Sequence, residues 1–272
     1  MTELSFITVC KGRLDHLRQT LPLLAAQADA ETVVVDYGCP QGTRHWIKEN
    51  FPTVKTVAVD DDPGFCLSRG RNIGASAAAA SRFCFIDADI KIQSGFVQWL
   101  LQNWQPRNYF RATHQRRDIL GTVACPAEDF FRIGGYDEAI RNWGGDDVDF
   151  YMRLEEIGCH LSAFPASLIE PIRHDDAERM QFYEMKDLLT SLRLSRVYIA
   201  AKFDLARILG RPLTLAERRQ VYQETQKGVN AIPAGAAMPV LEVTLPLDPR
   251  MATFPDWTLE KKLVYRVLPR TK

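Results

Sequence analysis

Short apolar runs alternate with helix-period segments through the first 95 residues, and each run ends in polar residues. Residues 5–10 (SFITVC), 32–35 (TVVV), 54–59 (VKTVAV) and 83–86 (FCFI) have the β-branched and aromatic content of buried strands. Between them, Leu17, Leu21 and Leu24 recur at helical spacing within residues 14–28. Residues 44–50 predict a short helix, and the Ala-rich stretch after "DDDPGF" predicts another. This alternation predicts an α/β fold: a mostly parallel, Rossmann-like sheet flanked by helices on both faces. Ligands of such sheets bind beyond the carboxyl ends of the strands. That edge receives Lys11-Gly12-Arg13, Asp36, Asp60 to Asp62, and the pair Asp87 and Asp89, so four strands send polar groups to one place.

Composition removes some classes. Lys plus Arg and Asp plus Glu balance at 34 each, without the basic excess of a nucleic-acid binder, so no nucleic-acid partner is expected. The six cysteines are scattered without a C-x-x-C pair, which suits a reducing compartment rather than a zinc knuckle or disulfide scaffold. The amino terminus already reads as a strand, and no apolar run approaches the roughly 20 residues that span a bilayer. A cytoplasmic protein is the expectation.

Two acidic motifs carry the chemistry. Asp87-Ala88-Asp89 closes the fourth apolar run, and i, i+2 spacing puts both carboxylates on one face of an extended chain. By itself the pattern is more often a strand stopping at a turn than a metal site, and it fits both. In "NWGGDDVDFYMRLEEIG", Val148, Met152, Leu154 and Ile157 mark one side of a helix beginning near Asp146. Gly144 and Gly145 read as a flexible, sterically open lead-in, and Asp146, Asp147 and Asp149 crowd the first turn. Helix capping accounts for one or two of these acids. Like charges so close raise one another's pKa, which poises a carboxylate as a general base. Trp143 is either a flat surface for a sugar ring or a core residue. His174, in "PIRHDD", is by itself more often a capping or surface histidine than a ligand, and His16 reads as a plain helix residue.

Together the strand-end Asp-Ala-Asp, "RGRNIGA" and "GGYDEAIRNWGGDDVDFYMRL" resemble the inverting nucleotide-sugar glycosyltransferases of the GT-A fold, which carry a basic first loop, a D-x-D and a W-G-G-[DE]-D element in this order. The likeness is greatest to the β-1,4-galactosyltransferase group and to the transferase modules of bacterial chondroitin-type polymerases, and it spans residues 4–175. "CKGRLDHL" resembles the family's basic first loop. The resemblance implies Lys11 and Arg13 on a diphosphate, Asp36 on a uracil edge, and Arg69 and Asn72 near the nucleotide. It implies Asp87 on ribose or metal, Asp89 on a Mn2+ or Mg2+ cofactor, and His174 completing the metal site. Asp147 matches the base, Asp146 would hold acceptor or donor hydroxyls, and Trp143, Gly144 and Gly145 would face the acceptor. The implied activity moves a sugar from a UDP-sugar to a glycan or glycoconjugate hydroxyl. Val148 departs from the family, which has another acid there. Two other classes share these features: a non-catalytic carbohydrate-binding or scaffold protein on the same fold, and a sugar nucleotidyltransferase. The latter carries a Gly-rich loop after its first strand, where "CKGRLDHL" has one glycine.

The catalytic domain is expected over residues 1–176, with a nucleotide-sugar half to about 95 and an acceptor half beyond it. Residues 177–272 form a helical appendage with an extended basic tail. Residues 177–202 predict one long amphipathic helix, and Thr214 with Glu217 opens another through a capping box. An apolar stripe must be buried, so self-association (a homo-oligomer) or docking is expected of the appendage, and no catalytic group. The basic end (Lys261, Lys262, Arg266, Arg270, Lys272) reads as a solvated tail or a peripheral contact with the inner face of a membrane.

Overall fold

The computed structural model describes residues 2–113, 118–232, 240–245 and 258–266. They fall into two compact units, Met1–Asp137 with Asp146–Glu184, and Glu138–Gly145 with Met185–Lys272. The expected division lay at residue 176; the first unit continues to Glu184, and the segment carrying Trp143 belongs to the second.

The first unit opens with β1 (Leu4–Cys10), α1 (Leu14–Ala25), β2 (Ala30–Asp36), α2 (Thr43–Asn50), β3 (Lys55–Ala58), α3 (Leu67–Ala77) and β4 (Arg82–Phe85). It continues through β5 (Ile90–Ile92), α4 (Phe96–Gln102), β6 (Asn108–Ala112), β7 (Val123–Pro126) and α5 (Ala127–Arg132). It closes with α6 (Asp146–Glu156), β8 (His160–Phe164), β9 (Ile169–Pro171) and α7 (Asp176–Met180). Seven strands form one sheet in the order β3-β2-β1-β4-β7-β6-β8. The β-branched runs of β1 and β2 are buried and pair in parallel from Leu4↔Ala30 to Cys10↔Asp36, so both strands end at the same edge. Only β7 runs against its neighbours β4 and β6, and the sheet is mostly parallel, as the alternation predicts.

Two further features position the chemistry. A small antiparallel ladder pairs β5 with β9, Ile90 opposite Pro171, and Ile172 donates its amide to the Asp89 carbonyl at 2.7 Å. The start of α6 is fixed from below by aromatic packing. Phe150 stacks on Tyr136 with ring centroids 4.2 Å apart, and both rings contact Phe85. Each buried aromatic of this kind contributes about 1.5–3 kcal/mol through apolar burial.

The second unit contains α8 (Leu188–Leu209), α9 (Leu215–Asn230) and a hairpin of β10 (Val240–Thr244) with β11 (Lys262–Arg266). The expected capping box is formed: Thr214 accepts from the Glu217 amide, and the Glu217 carboxylate accepts from the Thr214 amide. The expected continuous helix over 177–202 is broken. Asp187 accepts the Thr190 amide at 2.8 Å and starts α8 afresh. Before that break, Phe182 and Tyr183 leave helical geometry to pack on Gly12 and Phe65. No helix among the described residues is long and apolar enough to cross a membrane. Arg270, Lys272 and most of the Pro-rich stretch after Ile232 lie outside the described residues.

Candidate functional site

In the first unit the polar edge centres on a residue that the motifs did not single out. Arg71 lies on the inward face of α3 with Ser68, Gly74 and Ala75, and it is 2% exposed. Its Nη2 donates to Asp87 Oδ1 at 2.9 Å, and its Nη1 donates to Asp147 Oδ1 at 2.7 Å and Asp146 Oδ2 at 3.1 Å. The guanidinium also lies 4.7 Å from the centroid of the Tyr136 ring. One cation thus gathers acids from β4's end and from α6's start, 60 residues apart in sequence for Asp87 and Asp147. The helical period of α3 was the available signal. Arg69, two positions earlier, points elsewhere and pairs with Asp61 at 2.7 Å.

One guanidinium does not neutralise three carboxylates. Burial, with the charge of Asp147 next, pushes Asp146 up to about 7 against the pull of Arg71. Partial burial also raises Asp87, again opposed by Arg71, with Asp89 and Asp147 adding to the rise. Asp149, the third acid of the crowded turn, faces away and is buried against Arg153 at 2.8 Å.

Asp87 and Asp89 do not share a strand face. β4 ends at Phe85, and the Asp-Ala-Asp stretch forms a turn whose Ala88 carbonyl accepts the Thr20 hydroxyl at 2.9 Å. The turn sends Asp87 to Arg71 and Asp89 to His174, whose Nε2 donates to Asp89 Oδ2 at 2.6 Å. The β5–β9 ladder brings these two together, since Asp89 precedes β5 and His174 follows β9. The hydrogen bond to Asp89 raises the pKa of His174. Among the described residues no group of three or more His, Cys, Asp or Glu side chains converges on one point, so the expected Asp87, Asp89 and His174 set is split. The remaining pair fits a hard divalent cation: a carboxylate oxygen and an imidazole nitrogen already converge, sharing a proton that a cation would displace. His16 also stands here, its ring 5.8 Å from that of His174, which the helix-residue reading missed.

The first loop is tied down by the segment that follows β9. Arg13 forms an ion pair with Glu178, which also lies 3.7 Å from His16. Gly12 has φ +67° and packs so closely on Phe182 that a Cβ would enter the ring's contact radius. Lys11 donates to the Gly64 carbonyl at 2.8 Å, with its Nζ 5.5 Å from the Tyr37 ring centroid. Asp36 is buried, and its two oxygens accept the amides of Cys39 at 2.7 Å and Arg44 at 2.9 Å. Asn72 clamps Tyr136, donating to its carbonyl at 3.0 Å and accepting its amide at 2.8 Å.

In the second unit, Gly144 and Gly145 are not an open lead-in. Their φ values are +86° and +92°, and a Cβ on Gly145 would lie 2.5 Å from Ser195 Cβ. Backbone in this region favours glycine. The chain passes directly from Gly145 into Asp146.

Residues 108–175 match the family described as the N-terminal domain of galactosyltransferase. The chain is 25% identical to validoxylamine A glucosyltransferase of Streptomyces hygroscopicus subsp. jinggangensis, over 58% of this chain and 53% of the relative. It is also 25% identical to chondroitin synthase of Escherichia coli, over 39% of this chain and 18% of that protein. The chain therefore spans about half the length of the first relative and less of the second. Among solved structures, TarS of S. aureus (1–349) in complex with UDP-GlcNAc superposes with TM-score 0.59 at 14% identity, covering 84% of this chain and 72% of that 1–349 chain. A mannosyltransferase of Pyrobaculum calidifontis in complex with GDP-Man and Mn2+ gives TM-score 0.53 at 16% identity, covering 84% and 74%. The chain has the GT-A fold, and it resembles the galactosyltransferase and chondroitin-synthase types of glycosyltransferase.

Proposed function

We propose that this protein is a metal-dependent, inverting glycosyltransferase that moves a sugar from a UDP-sugar to a hydroxyl of a glycan or glycoconjugate. The observation that carries the reading is Arg71, which joins Asp87 of the strand-end turn to Asp147 at the start of α6. A donor-side acid and an acceptor-side acid are thereby held in one cluster inside one unit.

Asp147 is the general base. Its Oδ1 is oriented by Arg71, and its side chain is more exposed than that of Asp146, 18% against 9%. It takes the proton from the acceptor hydroxyl, whose oxygen attacks the anomeric carbon from the face opposite the diphosphate. One displacement of this kind inverts the configuration and needs no nucleophilic carboxylate on the donor's other face. Asp146, held near neutrality, serves donor or acceptor hydroxyls as both hydrogen-bond donor and acceptor. Lys11 and Arg13 bind the diphosphate, for which Arg13 must leave Glu178. Asp36 shapes the nucleobase end, with Arg69 and Asn72 setting the start of α3 beside it. Asp89 and His174 would hold Mn2+ or Mg2+, with Asp87 beside them. When bound, the cation neutralises charge that develops on the leaving diphosphate.

The test is UDP release from a panel of UDP-sugars, with and without Mn2+. Wild type should hydrolyse one donor slowly and only with metal, while Asp89→Ala should stay folded and lose metal-dependent donor binding. Wild-type turnover with unchanged metal dependence in Asp89→Ala would sink the assignment. Tight donor binding without any turnover in wild type would favour a carbohydrate-binding scaffold.

A further inference from the structure

The turn that precedes Asp146 is held by the helices of the second unit. Ser195 Oγ donates to the Gly144 carbonyl at 2.6 Å, and Ser191 Oγ donates to the Trp143 carbonyl at 2.7 Å. The two serines are one helical turn apart on α8, both fully buried. Residue 142 is fixed as well. The Tyr222 hydroxyl of α9 accepts from the Asn142 amide at 3.2 Å and from Asn142 Nδ2 at 3.0 Å. Asn142 Oδ1 in turn accepts the Met185 amide at 3.1 Å.

Serine is a poorer helix former than alanine, and two of them stand on a buried face that is otherwise apolar apart from Tyr198 and Lys202. Their hydroxyls leave α8's own backbone and serve consecutive carbonyls of another segment. Gly145 lies against Ser195 so closely that a Cβ on residue 145 does not fit there. Two fully buried hydroxyls would lose their acceptors if the turn took another course, so the hydrogen bonds select this one. The next two residues are Asp146 and Asp147.

We infer that α8 and α9 form a positioning platform for the catalytic turn, with Ser191, Ser195 and Tyr222 setting the path of residues 142–145 into Asp146 and Asp147. The inference rests on the proposed function for what those acids do. Ser191, Ser195 and Tyr222 touch no substrate; they are positioning residues. Displacement of a reacting group by about 1 Å costs as much as 100-fold in rate, so a loosened turn should register in turnover before it registers in donor affinity.

The experiment uses the full chain and the double variant Ser191→Ala/Ser195→Ala, with Tyr222→Phe as a milder second variant. Four quantities are read: hydrolysis of the preferred donor among UDP-glucose, UDP-galactose, UDP-GlcNAc and UDP-GalNAc, affinity for UDP with Mn2+, thermal midpoint, and hydrogen exchange of the 142–147 amides. The expected result is turnover lowered about 10-fold or more by the double variant and less by Tyr222→Phe. UDP affinity should stay within about twofold, with faster exchange confined to 142–147. Wild-type turnover in the double variant would overturn the inference. A parallel fall in turnover, UDP affinity and melting temperature in the double variant would mark a general loss of structure; Tyr222→Phe then decides, and the absence of a selective loss of turnover in it overturns the inference. If wild type neither binds UDP nor hydrolyses a donor, the proposed function fails by itself. Exchange then decides the platform alone, and unchanged protection at 142–147 in the variants overturns it.

Discussion

The turn at 87–89 and the turn at 142–145 are both fixed by side chains from distant sequence, but by different physics. Charge holds the first: Arg71 takes Asp87, and His174 takes Asp89. Neutral hydrogen bonds and backbone shape hold the second, through Ser191, Ser195, Tyr222 and two left-handed glycines. A charged clamp reorganises when a charged ligand arrives, because its pairs can be exchanged. A neutral clamp has nothing to trade with a nucleotide or a cation. The contrast suits the two jobs proposed, a donor side that rearranges on binding and an acceptor side that keeps its course.

The hardest blow to the charged clamp is Arg71→Met. It strands three carboxylates, and removing one partner of a buried ion cluster costs about 3–5 kcal/mol. Urea unfolding should show that loss together with abolished donor hydrolysis. Arg71→Lys should restore little, because a single ammonium cannot present two nitrogens to acids on opposite sides. A stability within about 1 kcal/mol of wild type for Arg71→Met would show that the cluster is not held by charge.

Next comes Asp147→Asn, which should lower kcat about 100-fold or more with UDP affinity kept. Asp146→Asn should be the milder variant, since an amide can still donate and accept hydrogen bonds. The reverse order in steady-state kinetics would move the base to Asp146.

The neutral clamp breaks at Gly145. Gly145→Ala places a Cβ against Ser195 at φ +92°, and a strained left-handed residue costs about 1–3 kcal/mol. Adding Ser195→Gly relieves the collision but leaves the dihedral strain and removes the hydroxyl bond to Gly144, so the double variant should recover at most part of the loss on denaturation. Full recovery would mean the clash alone demands glycine.

The smallest effect concerns acid. Glu217, pulled down to about 2 by Arg211 and then by the Thr214 amide, starts the helix that carries Tyr222. A carboxylate with a depressed folded pKa contributes stability above its unfolded value of about 4.3, and that contribution disappears as pH falls toward 2. Wild type should therefore lose about 1 kcal/mol more than Glu217→Gln between pH 5 and pH 2, discounted for the half-exposed Arg211. Parallel pH profiles for the two proteins, measured by denaturation, would remove this charge from the account.

Much of this was legible in the order of residues. The four apolar runs became β1 to β4, and helix-start signals at Thr214 and Asp146 marked real boundaries. What escaped was orientation. Arg69 and Arg71 look alike in "RGRNIGA", and only the inward stripe of Ser68, Gly74 and Ala75 tells which one turns to the site. The two acids of Asp-Ala-Asp separate because the strand stops one residue earlier than the apolar run suggested. Gly144-Gly145 looked loose because glycine permits freedom, yet here its missing side chain permits close packing. The predicted long helix failed because apolar period alone cannot say that Phe182 and Tyr183 pack on the first unit while Asp187 caps a new start.

If Arg13 binds the donor diphosphate as proposed, Glu178 sets the energetics of that contact. It already stands opposite Arg13, so a diphosphate arriving there replaces one anion by another instead of filling a bare cationic loop. Few small ions are released in such an exchange, and the dependence of donor affinity on ionic strength should be shallow for a doubly charged ligand. On the proposed assignment the same carboxylate competes for Arg13 at the end of the reaction, which would lower product retention along with substrate affinity. Turnover then gains whatever tight binding would have held back.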